Sequence, residues 1–511
     1  MRDQKKAGVA LSYVATVLSI VLSIAFVPFL ISSLGDAEYG LYRIVQSFAS
    51  QLSIMIFGIG SLTAVTVAKY NAKPGLEKEK ENFLAMAIGI AAMLSLLILA
   101  IGGVMFFSIE SIFKESMTVE QIKLAKKLYI LLVASIGISV FRDVFSGIIR
   151  GYEHFIFSKS SVVAGLILQV LLMVVLLKLG FKSLAIVTIY LTINIARTLA
   201  EVFYCLGILK VKVKFHHFDK ALFLSSFSFS LAVFLQAVVT QVNQNLDSVI
   251  LGAMTTPEVV TLYSVALTIF TTFNGLSDTI ASVFAPKGAK LIAYEASAQE
   301  LTDHVLKPGR FQLMVVSALL FGFLIAGKDF LYLWVGSSKV EAYGIALLLM
   351  ASTALSLISA TSNGILDALL KRLGRSLIIS GTALLNLIIS IILVKKIGYM
   401  GAAIGTAAAV LIGQVVLTNI YYNRVFGFKI AYFYREVFRG ILPSSFIAVA
   451  VALPSYFLFP NLSLKSFLIK GFSFAVPYLL LLYFWGMNEF EKNTIKSMLT
   501  KLGVLKRKLK K

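Results

Sequence analysis

Fourteen apolar stretches run through this chain of 511 residues, most of them joined by loops shorter than twenty residues, and lysine and arginine crowd every second loop. Segments of that length with few charges can cross ~30 Å of hydrocarbon as helices, at ~1.5 Å of rise per residue. Buried strands of a soluble core would be far shorter. The stretches lie near 9–33, 41–68, 83–107, 128–148, 160–178, 183–209, 221–252, 259–284, 310–327, 341–366, 377–394, 400–423, 441–459 and 467–487. The expected fold class is therefore all-α integral membrane, with about 14 transmembrane helices. A hydrophobic share of 58% against 14% charged residues excludes a water-soluble domain of this size.

In this setting the net charge of +22 is mainly a topology signal. The dense basic clusters are Arg2, Lys5 and Lys6; Lys69, Lys73, Lys78 and Lys80; Lys210, Lys212 and Lys214; Lys371, Arg372 and Arg375; and the tail from Lys492 to Lys511. Basic loops stay in the cytoplasm, so both termini are expected there, as an even number of spans also requires. The basic tail is then expected to meet anionic membrane lipids rather than nucleic acid. The first apolar stretch is longer than a signal-peptide core and has no clear small-x-small cleavage site, so it reads as a retained helix. A single cysteine, Cys205, lies inside a span and leaves no disulfide framework.

Local patterns recur at an offset of about 217 residues, which points to duplication of a six-span unit. Lys178-Leu179-Gly180-Phe181 is echoed by Lys396-Ile397-Gly398-Tyr399, Leu34-Gly35 by Leu251-Gly252, and Lys69 by Lys287. The expected organisation is an N-lobe at 1–215, a C-lobe at 216–436, two further spans at 437–487 and a basic tail at 488–511. Two copies that start on the same side of the membrane are related by an axis along its normal.

Several spans carry polar residues at the spacing 0, 4, 7, 11, which puts them on one helical face. Span one has Ser12, Thr16, Ser19 and Ser23; span four has Ser135, Ser139, Arg142 and Ser146; span six has Tyr190, Asn194, Arg197 and Glu201. Span seven has Gln236, Thr240, Asn243 and Asp247, and span ten has Ser352, Ser356, Ser359 and Asn363. Serine and threonine can bond back to their own helix, so their stripes alone say little. Ionised residues say more, because a charge at the bilayer centre costs at least ~2.5 kcal/mol and normally faces a protein interior or a wet cavity. Arg197 lies roughly 18 Å from the nearer end of its helix, too deep to snorkel easily. With Glu201 one turn away, it is either an ion pair that pins two helices or a cavity-lining cation.

The cavity candidates are Arg43, Arg142, Arg197, Asn194, Gln236 and Asn243, with the arginines suited to gripping phosphate oxygens two at a time. Asp247, Asp278, Glu201 and Asp143 are the candidates for carrying a coupling ion, H⁺ or Na⁺, and Asp367 is a further acid of the second half. No stretch matches Gly-x-x-x-x-Gly-Lys-Ser/Thr, so no cofactor and no ATPase of the chain's own is expected. His154, His216, His217 and His304 are expected in solvated loops without ligand-spaced partners, and no metal site is expected. The longest external loop, about 108–127, leaves little room for catalysis, which speaks against a membrane polymerase.

The sequence resembles the polysaccharide transporter branch of the multidrug/oligosaccharidyl-lipid/polysaccharide exporter superfamily, the Wzx-type flippases. The resemblance rests on Leu34-Gly35-Asp36-Ala37-Glu38-Tyr39-Gly40-Leu41, Gly147-Ile148-Ile149-Arg150-Gly151, Asn245-Leu246-Asp247 through Leu251-Gly252, and Leu331-Tyr332-Leu333-Trp334-Val335-Gly336. It implies two lobes rocking around a central cavity by alternating access, without enzymatic chemistry. The implied substrate is an undecaprenyl-diphosphate-linked oligosaccharide, in the cytoplasmic membrane of a bacterium or archaeon, with other polysaccharide-assembly membrane proteins as partners. A cation-coupled drug or metabolite exporter is the alternative. Drug exporters often carry an acid in the first helix, and 9–33 has Pro28 but no Asp or Glu.

Overall fold

The computed structural model describes residues 2–56, 58–73, 75–217, 246–369 and 371–508, with the backbone alone at 2–10, 13, 278–279, 281–283, 285–286, 289, 498–499 and 501–508. Every regular element among the described residues is helical. Among the described residues twelve helices are long and apolar enough to cross a membrane, and Ala342–Leu357 with Ser362–Ala368 makes one more span bent by 50°. Together they cover every predicted span except the seventh, most of which falls at 218–245, outside the described residues.

In chain order, the first unit holds α1 (Arg2–Leu34), α2 (Asp36–Ser50), α3 (Ile59–Asn71), α4 (Glu77–Phe113), α5 (Val119–Gly151), α6 (Phe155–Lys178) and α7 (Ser183–Phe203). Next come α8 (Pro257–Ala293), α9 (Ala298–Val335), α10 (Ala342–Leu357), α11 (Ser362–Ala368), α12 (Arg372–Ile397) and α13 (Tyr399–Ala409). The chain ends with α14 (Thr418–Phe426), α15 (Ile430–Phe438), α16 (Ile441–Leu458), α17 (Leu464–Leu481) and α18 (Glu489–Lys508). It divides into two compact units, one of Met1–Ser264 with Ser390–Ala402 and one of Val265–Ile389 with Ala403–Lys511.

Hydropathy places the spans but underestimates the helices. The 37 residues of α4 reach about 55 Å, well past the hydrocarbon, because its polar first turns continue the helix into water. Likewise α9 starts at Ala298 under a Ser297–Glu300 capping box, where a loop was expected. His304, assigned to that loop by sequence, is consequently buried in α9. The other described loop histidines are also engaged: His154 Nδ1 stands 2.8 Å from the Tyr204 hydroxyl and His216 Nε2 3.1 Å from a Glu81 carboxylate oxygen.

Span two, expected as one continuous helix, is broken. A 3₁₀ turn at Gln51–Ile56 follows α2, and Gly58 then takes φ 100°, a left-handed conformation that only glycine adopts without strain. Ser50 and Ser53 hydroxyls donate to the carbonyls of Ser47 and Ser50, at 2.8 and 2.6 Å, drawing acceptors out of the helical ladder. Below the break α3 lies tight against α5. A Cβ on Gly147 would fall on the Gly60 carbonyl and Thr63, and one on Gly151 would fall on Val67. The Gly147-to-Gly151 motif is thus a close-packing face between these helices.

In the second unit, α16 and α17 pack along α9. Two buried ion pairs fasten them. Arg310 of α9 pairs with Glu491 and donates to the carbonyls of Glu436, Arg439 and Gly486 at 2.7, 3.0 and 2.7 Å, tying the ends of α15 and α17 and the start of α18 to one guanidinium. Towards the other end of α9, Lys470 Nζ meets Asp329 at 2.7 Å and lies 5.2 Å from the Tyr456 ring centre. The two pairs stand about 28 Å apart along α9, close to the ~30 Å thickness of a hydrocarbon core.

Candidate functional site

The first unit contains a cavity of about 450 Å³ enclosed by α2, α5, α6 and α7. Its polar wall is the meeting of two stripes read from the sequence: Ser135, Ser139 and Arg142 from α5 face Tyr190, Asn194 and Arg197 from α7. Leu132, Ile136, Val162 and Leu166 supply an apolar remainder. A cavity of this size holds a small charged group with part of a sugar, within the ~300–1,000 Å³ usual for ligand sites.

Hydrogen bonds hold the cations in place. Asn194 donates to the Ser135 carbonyl and hydroxyl at 2.8 and 2.9 Å, which leaves its own side-chain oxygen to accept from Arg142 Nη1. Arg142 Nη2 stands 3.5 Å from Asp143. Arg197 Nη2 lies 3.7 Å from Glu201, and Arg197 Nε donates to the Ser161 hydroxyl at 3.4 Å. Both arginine side chains keep 23% of their surface and line the cavity, whereas Glu201 is buried behind Arg197. The wall therefore sets two guanidinium groups, some of whose donors are already engaged, beside amide and hydroxyl groups, a combination chemically suited to an oxyanion with neighbouring hydroxyls.

The remaining sequence candidates are dispersed. Arg43 donates to Gln46 at 3.2 Å and so stands one residue behind the wall, which Gln46 lines. Asp247 is buried and accepts from the Tyr263 hydroxyl at 2.6 Å within the first unit, away from the lining residues. Asp367 forms a half-exposed pair with Arg372 at 2.8 Å. Gln236 and Asn243 lie outside the described residues, as does the side chain of Asp278. The serine stripes of spans one and ten turn back on their own helices, as in Thr16 to the Ser12 carbonyl at 3.0 Å and Ser352 to the Leu349 carbonyl at 2.8 Å. No group of three or more metal-binding side chains occurs among the described residues.

Sequence reading missed Gln46, Ser50 and Ser53 of the broken span, although their 0, 4, 7 spacing is the same stripe signal. It also missed Gly165 and Gln169 on α6. Gly165 makes room for a cation: a Cβ there would come within 2.7 Å of Arg197 Cδ. Gly165→Leu should push the guanidinium off its seat and weaken binding of an anionic ligand about tenfold, the equivalent of one charge-assisted hydrogen bond. Unchanged affinity of that variant, by titration of the purified protein, would show that Arg197 binds nothing from this seat.

Helices of this length and order define a multi-pass membrane protein, with cations lining a cavity inside one bundle. The chain belongs to the polysaccharide biosynthesis protein family, which matches residues 6–292. Its fold is similar to that of the lipid II flippase MurJ in an inward closed conformation, with a TM-score of 0.71 and 19% identity over 93% of this chain and 97% of that one. It is also similar to an inward-facing multidrug resistance MATE transporter of the MOP superfamily, at TM-score 0.63 and 16% identity over 83% and 94%. A MOP superfamily transporter from Pyrococcus furiosus shares the fold at TM-score 0.55 and 16% identity over 85% and 96%. No curated protein matches the sequence at a significant level.

Proposed function

We propose that the protein is a flippase that carries a polyprenyl-diphosphate-linked oligosaccharide from the cytoplasmic to the outer leaflet of a bacterial or archaeal cytoplasmic membrane, by alternating access. The observation that carries this reading is the cavity wall of Arg142, Arg197 and Asn194 inside the first unit. Two planar guanidinium groups suit the oxygens of a diphosphate, with Asn194 positioning Arg142, and Ser139 and Gln169 suit sugar hydroxyls. The family and the shared fold support the same reading.

Binding is chemistry enough for this activity, since the flipped lipid leaves covalently unchanged. The headgroup exchanges its water for the cationic wall while the prenyl chain stays in hydrocarbon. With two negative charges, outward movement through a cell-negative potential is favoured by ~2.3 kcal/mol per charge per 100 mV. An H⁺ or Na⁺ gradient is the other source of drive, with Glu201 and Asp143 nearest the cations. The basic tail rests on anionic lipid heads, within reach of other polysaccharide-assembly proteins of the membrane.

A deletion strain should accumulate the lipid-linked oligosaccharide on the inner leaflet and lose surface polysaccharide. If surface glycans stay intact while drug susceptibility changes, the cation-coupled exporter is correct and the flippase reading is rejected.

A further inference from the structure

We propose that the cavity takes up a proton on Glu201 whenever an anionic group binds Arg197, so that anion and proton bind cooperatively. The inference rests on the reading of this cavity as the diphosphate site.

Of the two cations, Arg197 is the more loosely held. Its contacts are 3.7 Å to Glu201 Oε1 and 3.4 Å to the Ser161 hydroxyl, which itself reaches Glu201 Oε1 at 3.4 Å. Charge-assisted hydrogen bonds to a carboxylate or phosphate ordinarily close to about 2.7–2.9 Å. An oxyanion entering the cavity offers the guanidinium two such bonds at once, and the part-exposed Arg197 can turn to make them. Glu201 is in effect an internal stand-in for the ligand's acid, and a poor competitor for it.

Removing Arg197 leaves Glu201 in a costly position. Its side chain is 2% exposed, and its Oε2 already has no hydrogen-bond partner. The groups facing it are Arg197 on α7 itself, Arg142 and Asp143 from α5, the Ser161 hydroxyl from α6 and the Cys205 thiol one turn further on. Arg142 is already engaged by Asn194 and Asp143, and one neutral hydroxyl and one neutral thiol cannot neutralise a carboxylate. A dry, unpaired carboxylate is less stable than a protonated one, so hydronium or a protonated buffer molecule gives up a proton to Oε2: one O–H bond forms on Glu201 as the donor's own bond to that proton breaks, leaving neutral water or the buffer's conjugate base. Coupling of two ligands is reciprocal, so a lower pH must then tighten anion binding.

The test is calorimetric titration of the purified full-length protein with citronellyl-diphosphate-linked N-acetylglucosamine, a soluble diphosphate diester that stays fully ionised near neutral pH. Comparing two buffers of different ionisation enthalpy counts the protons. The expected result is uptake of about one proton per ligand and an affinity that gains up to roughly tenfold per unit fall in pH. Glu201→Gln should bind with no uptake and no pH dependence, at least as tightly as the wild type at high pH, since the competing charge is gone. Asp143→Asn should keep the uptake. Binding by the wild type without proton uptake, uptake that persists in Glu201→Gln, or uptake lost in Asp143→Asn would each overturn the inference while leaving the diphosphate site intact. Failure of the wild type to bind the probe at all would reject the diphosphate site itself, and the inference with it.

Discussion

Arg197→Ala should abolish surface-polysaccharide export while leaving the protein in the membrane at its normal level. The expected loss at the binding step is about 1.5–3 kcal/mol for a hydrogen bond to a charged partner, or roughly ten- to a hundredfold in affinity. The fold should tolerate the change, because the side chain is 23% exposed, its existing contacts are long ones to Ser161 and Glu201, and Glu201 left unpaired is relieved by taking up a proton. Arg197→Lys should recover only part of the activity, since an ammonium cannot grip two oxygens in one plane. The readouts are surface glycan by gel and protein level by immunoblot of membranes. Normal export from the alanine variant would reject a ligand-binding role for this arginine.

Lys470→Met alone should destabilise the second unit by about 3–5 kcal/mol, because it strands the Asp329 carboxylate without its partner in the bundle. Asp329 is 0% exposed and Lys470 3%, so neither end can turn to water. The double change Lys470→Met with Asp329→Leu should return most of that stability, since a buried ion pair is often no better than apolar side chains of similar volume. Unfolding in detergent, followed by temperature or denaturant, reads both values. A single variant as stable as the wild type would mean that the pair is wetted and holds nothing. If the double variant is stable yet fails in export, the pair serves the transport cycle rather than the packing of α17 on α9.

The contrast between these two sites explains what could be read in advance. Arg142, Asn194 and Arg197 were visible because each helix repeats its polar residues at helical spacing, and a buried charge among leucines stands out in one dimension. Lys470 and Asp329 carried no comparable signal. Each sits near the end of an apolar stretch, where a charge ordinarily reaches the interface, and they lie 141 positions apart in the chain. Their partnership depends on the rotation and depth of α9 and α17. Gly165 was equally silent: a glycine in an apolar helix reads as packing until the neighbour crossing it proves to be the stem of Arg197. The break in span two lay between clear signs, with Ser50, Gln51 and Ser53 before it and Gly58 within it, but hydropathy averages over such a kink.

Sequence alone determined the order and approximate extent of the described spans, because hydrocarbon forces every backbone amide into an internal hydrogen bond and every span to a minimum apolar length. Those are local constraints, satisfied or broken within about twenty residues. Tertiary structure alone decided which stripe meets which, that α2 and α6 complete the cavity wall inside the first unit, and that Glu201 stands behind Arg197 instead of on the lining. Between helices in lipid the choice of neighbour is made by close packing and a few polar contacts, and these compare residues that the chain itself keeps far apart.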